Sequence, residues 1–223
     1  KINPTFKKIF SFQTVVITNR TLTFTDTVKG GDVYLLVNTN GVRKPRFVTR
    51  KNFSNLRNRS RSAEYIIISN RVLSTSANEY KNFITQKYGY KTELIFVDDI
   101  YDEFSFGHLS SQSIKDFLEY AYTFWQRPSA SYLLLLGDAN YDYKNIWEPA
   151  PAIRKQNLVP SFGFPVSDTW FTTFNDSNVN LQEMFVGRLP FNNNSDVRDY
   201  QAKHQTYMNR RFDRWNRTGI LFS

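Results

Sequence analysis

Three short apolar runs constrain this chain more than anything else in it. Residues 65–68 read Tyr-Ile-Ile-Ile, residues 92–97 Thr-Glu-Leu-Ile-Phe-Val and residues 132–136 Tyr-Leu-Leu-Leu-Leu. A strand with one wet face alternates apolar and polar residues, so short continuous runs of this kind predict strands buried on both faces. Between them the period becomes helical. Tyr80, Phe83, Ile84 and Lys87 share a helical face, with Ser74 or Thr75 to start the helix and Gly89 to stop it. A second stripe of Ile114, Phe117, Leu118, Ala121 and Phe124 runs from Ser111 or Ser113 to Trp125. Strand and helix in strict alternation predict an α/β unit whose mostly parallel sheet carries helices on both faces through right-handed crossovers.

Ligands of such sheets gather at the carboxyl ends of the strands, which here means Asn70, Asp98, Asp99 and Asp138. Farther on, residues 167–174 and 184–186 read as two more strands around a polar loop. Residues 194–215 read as a final helix, and residues 219–222 as the start of another buried strand.

The formal charge of +9 is uneven along the chain. Residues 1–62 hold 13 Lys plus Arg against Asp26 and Asp32, a net of +11, whereas residues 63–223 carry a net of −2. The basic quarter is also β-rich. Residues 14–27 and 32–38 predict antiparallel strands, and Asn40-Gly41 predicts a tight hairpin turn with residues 44–50 as the return strand. Residues 51–62 (KNFSNLRNRSRS) are polar, basic and aperiodic and read as a linker. Arg57, Arg59 and Arg61 there are either a solvated connector or a patch for an anionic polymer. The expected division is therefore 1–50 as the end of a β-rich domain, 51–62 as a basic linker and 63–223 as an α/β domain.

Several function classes fall away. With no cysteine there is no disulfide, thiolate metal site or cysteine nucleophile in these residues. No Gly-x-Gly-x-x-Gly follows the first apolar run and no Gly-Lys-Ser/Thr loop occurs, so a nucleotide cofactor has no support. Aromatics are too sparse among the arginines to suggest single-strand nucleic acid binding. No apolar stretch approaches the roughly 20 residues that span a bilayer. His108 and His204 lie 96 positions apart and read as surface or packing residues. Asp138 follows a buried strand, and Asn175, Asp176, Ser177, Asn178, Asn180 and Glu183 crowd one loop. Such oxygens suit calcium, and they equally suit an ordinary Asn/Asp turn.

The ordered strings EYIIIS (64–69), YGYKTELIFVDDIYDEFSFG (88–107), SIKDFLEYAY (113–122), YLLLLGDANYDYKN (132–145), VPSFGFPVSDTWF (159–171) and MFVGRLP (184–190) resemble the gingipain-type cysteine peptidases. The nearest branch is that of the sortase of the type IX secretion system. The resemblance covers residues 62–223 and implies a caspase-like α/β domain preceded by a β-rich one. It implies secretion or an outer-membrane surface location, and a protein or peptide substrate. Family members attack the peptide carbonyl with a Cys thiolate while a His handles the proton. Those motifs lie on strands beyond the position of Ser223, so no catalytic residue carries over and the segment itself is expected to be inactive, the remainder of the same polypeptide supplying them. The chain's start on Lys1 and its stop inside an apolar run fit a piece of something longer. The resemblance also implies calcium at Asp138, Asp176 and Glu183, and leaves Asp168 without a role beyond capping a strand end. The rival expectation is a non-catalytic surface or scaffold module whose basic segment binds anionic polymer.

Overall fold

The computed structural model describes residues 2–3, 8–9, 15–36, 50–140, 142, 156–174, 181–211, 213 and 218–219. The chain divides into two units, Lys1–Lys51 and Asn52–Ser223. In the first, β1 (Ile2–Asn3) pairs antiparallel with β2 (Lys8–Ile9), and β3 (Ile17–Thr18) with β4 (Thr21–Leu22). Asn19 and Arg20 both have positive φ, 51° and 63°, the backbone a tight two-residue hairpin requires. In the expected strand over 32–38, Val33 makes an isolated β-bridge and residues 37–38 lie outside the described residues. The expected Asn40-Gly41 turn and its return strand over 44–49 lie outside the described residues, as do residues 220–222.

The second unit contains β5 (Tyr65–Ser69), α1 (Ser74–Tyr88), β6 (Thr92–Phe96), α2 (Val97–Phe104), α3 (Ser111–Phe124), β7 (Tyr132–Leu136), β8 (Phe185–Leu189) and α4 (Asn194–Met208). Its four strands are all parallel, in the order β6-β5-β7-β8. Successive side chains of a strand point to opposite faces. Ile66, Ile68, Leu133 and Leu135 accordingly pack with Ile100, Ile114, Phe117 and Leu118 of α2 and α3. Ile67, Leu134 and Leu136 pack on the other face with Ala77, Tyr80 and Ile84 of α1 and Val197 of α4. Both faces are thereby dry, which is why the runs are continuous rather than alternating.

Two local expectations are corrected. Residues 167–174 are not a strand: Thr169–Thr172 is a 3-10 turn that drives Phe171 fully into the core, and the hydroxyls of Thr172 and Thr173 both donate to the Thr169 carbonyl. Such back-bonding offers the chain an alternative to a ladder. After β6 the chain turns directly into α2, which buries Val97, Ile100 and Tyr101 and places Asp98 and Asp99 in its first turn, where the helix dipole favours acids.

Residues 52–62 also differ from a solvated connector. Leu56 is completely buried, its N–H donates to Glu103 Oε2 (2.8 Å) and its carbonyl accepts from Trp125 Nε1 (3.0 Å). Arg57 stacks over the Phe104 ring (4.1 Å), Arg59 over Phe124 (4.7 Å) and Arg61 over Trp125 (5.4 Å), while Arg61 also pairs with Glu93 at 3.1 Å. The segment is a strap across the ends of α2 and α3.

Candidate functional site

The carboxyl ends of the strands collect the polar residues. β7 ends in Gly137-Asp138, and the glycine is required twice over: its φ is +147°, and a Cβ there would lie 3.0 Å from both Leu158 Cβ and Val159 Cγ2. The close approach lets the Asp138 carbonyl accept from the N–H groups of Leu158 and Val159. The Asp138 carboxylate accepts from the Ala139 N–H (2.9 Å) and from Asn192 Nδ2 (3.1 Å), beyond the end of β8. At the end of β5, Asn70 Oδ1 accepts from the Val72 N–H and its Nδ2 donates to the Leu158 carbonyl. Arg71 beside it pairs with Asp99 at 2.6 Å, with Asp98 at 3.9 Å.

Arg188 ties these ends together. It sits near the end of β8 with its side chain 13% exposed and binds Asp168 through two parallel hydrogen bonds, Nε to Oδ2 (2.7 Å) and Nη2 to Oδ1 (2.8 Å). Nη1 also donates to the carbonyls of Gly137 and Val159, both at 2.8 Å, and Nη2 to that of Pro160 at 3.2 Å. One guanidinium thus joins β8, the exit of β7, the 158–160 return and the 3-10 turn. Burial would raise the Asp168 carboxyl, but the hydrogen bonds and charge of Arg188, with the Ser161 hydroxyl at 2.8 Å, hold it below the ordinary carboxylate value. Asp168, without a role from its sequence, is the partner of the arginine in Gly-Arg-Leu-Pro.

Asp138 and Glu183, two of the three residues singled out for calcium, do not share one centre. Asp138 lies past the carboxyl ends of the β7–β8 pair, whereas Glu183 precedes β8 at the amino ends, given the register Tyr132↔Phe185 and Leu136↔Leu189. At about 3.3 Å per residue the two carboxylates stand roughly 20 Å apart, and ligands of one ion at 2.3–2.6 Å lie within about 5 Å of each other. Glu183 instead closes its own loop: its N–H donates to the Thr172 carbonyl and its Oε2 accepts from the Phe174 N–H, both at 2.9 Å. Asp176 lies outside the described residues. Among the described residues no group of three or more His, Cys, Asp or Glu is disposed to hold a metal. No helix among them is long and apolar enough to cross a membrane.

A four-stranded parallel sheet with helices on both faces and this polar carboxyl edge makes the second unit a doubly wound α/β unit. The chain belongs to peptidase family C25, whose model matches residues 58–223. Among solved structures it resembles dimeric latent PorU from Porphyromonas gingivalis, with a TM-score of 0.55 and 21% sequence identity over 65% of this chain. The match spans 15% of the PorU chain. No curated protein matches.

Proposed function

We propose that this chain supplies the amino-terminal α/β unit of the peptidase domain of a secreted or surface-exposed gingipain-like cysteine endopeptidase, nearest the branch that processes type IX secretion cargo. The family match over 58–223 carries the reading. Its support in the fold is the Asp168–Arg188 pair, which makes the Ser-Asp and Gly-Arg-Leu-Pro strings one structural feature instead of two chance resemblances. With no cysteine in the chain, the nucleophile and its His belong to other strands of the same polypeptide, and the substrate is a protein or peptide chain.

A gene product extended by the next ~150 residues, about one domain length, should hydrolyse peptides and lose that activity on thiol alkylation, whereas the 223-residue chain alone should not hydrolyse them. Activity that survives alkylation would defeat the reading. The competing scaffold reading draws on Arg57, Arg59 and Arg61, and the packing of all three on aromatic rings weakens its claim.

Calcium is read separately in a melting scan. Any stabilisation by the ion should respond to Asp138→Ala or to Glu183→Gln but not vanish in each of them. Loss in both single variants would require one ion to reach both ends of the sheet.

A further inference from the structure

We propose that His204, held between Tyr80 and Tyr88, is a proton-operated latch that keeps the second half of α4 docked on α1 and releases it on acidification. The two helices are joined along their length by Ser76 with Asn194, Glu79 with Arg198 and Lys87 with Asn209. Only Val197, in the first turns of α4, is fully buried. Beyond it the helix depends on a ring cluster around His204: Phe83 edge-on at 5.1 Å, with Tyr80, Tyr88 and Tyr200 about the same ring at 6.0–6.1 Å.

Both ring nitrogens are engaged, Nδ1 with the Tyr80 hydroxyl (3.0 Å) and Nε2 with the Tyr88 hydroxyl (2.7 Å). In either neutral tautomer one nitrogen donates and the other accepts, so one hydroxyl donates to the ring. A second ring proton turns that acceptor into a donor, so the hydroxyl oxygen must now accept from the ring and turn its own proton to another acceptor. The groups facing the ring are Tyr80, Lys87 and Tyr88 from α1 and Tyr200 from α4 itself, and among the described residues no carboxylate pairs with it. The cation would be partly desolvated and without a counter-charge. Burial first, and then the charge of Lys87, accordingly push the imidazole below its ordinary value.

The sign follows from that depression. The unfolded or undocked imidazole binds its proton first, so docking is at full strength above the ordinary histidine value and weakens as pH falls through the lower docked one. Each unit of depression is roughly tenfold in the docking equilibrium.

Amide hydrogen exchange of the full chain between pH 7.5 and 5, corrected for intrinsic rates, tests this. Protection over residues 200–208 should fall on acidification while the strands keep theirs. In His204→Phe, which fills the ring cluster without titrating, protection should not change with pH, and in His108→Gln the wild-type response should persist. The NMR-detected titration of His204 should lie below about 6.5, the free-histidine value. A response that survives in His204→Phe, protection over 200–208 that ignores pH in the wild type, or a normal or raised His204 titration would each overturn the latch.

Discussion

Arg188→Met should lower the unfolding free energy of the α/β unit by about 3 kcal/mol, the low end of what breaking a buried ion pair costs. The loss has two parts. Asp168, 25% exposed, keeps a carboxylate that has lost both hydrogen bonds from Arg188, and the carbonyls of Gly137, Val159 and Pro160 lose donors in a place where backbone cannot easily reach water. For a unit of this size the midpoint should drop by roughly 10 °C. Arg188→Lys should recover little, because an ammonium has no planar fork to meet both Asp168 oxygens and the carbonyls together. The double change Arg188→Met with Asp168→Leu should regain much of the loss, since an apolar pair of similar volume removes the uncompensated charge. Thermal or urea unfolding of the three variants reads the series. A loss under about 1 kcal/mol in Arg188→Met would place the pair with ordinary surface bridges.

How much of this was legible follows from what each residue's neighbours are. The strands β5, β6 and β7 and the helices α1 and α3 could be read because their signals are local: a continuous apolar run or a 3.6-residue stripe lies within one window of sequence. The Asp168–Arg188 pair could not, since its residues are 20 apart in sequence on different elements. Its only local trace was a charged residue inside an otherwise apolar strand, Phe-Val-Gly-Arg-Leu, and such a residue, where half-buried, implies a partner somewhere. α2 was missed because Asp98-Asp99 after a strand reads equally as a polar loop or as the acidic first turn of a helix. Asp138 and Glu183 are separated as ligands of one ion for a topological reason. In a parallel pair, the residue before one strand and the residue after its neighbour fall at opposite ends of the sheet, and grouping Asp138 with Glu183 ignored that direction.

Residues 52–62 yield the second large effect, because composition there conceals packing. A chain beginning at residue 63 should fail to form a stable α/β unit, whereas one beginning at Asn52 should fold. Eight of the strap's eleven residues are exposed and Ser62 is buried at its end, but Leu56 is the apolar one that is completely buried, in the same cluster as Phe117, Leu118 and Trp125. Leu56→Ala alone should cost about 3 kcal/mol, the usual range for opening a cavity under a fully buried leucine. Removing the strap entirely should cost more, since Trp125 Nε1 loses its acceptor and Phe104 and Phe124 lose the guanidinium faces that cover them. Arg57→Ala or Arg59→Ala, by contrast, should each cost less than about 1 kcal/mol, because both arginines are exposed and a cation there retains most of its hydration. Urea unfolding of the two truncated chains and the three point variants separates these cases. If the chain starting at residue 63 unfolded at the same midpoint as the one starting at Asn52, the strap would be a linker after all. The expected ordering, with the apolar residue far outweighing the arginines beside it, follows from burial: desolvated carbon area stabilises this fold, and the strap's exposed arginines contribute little.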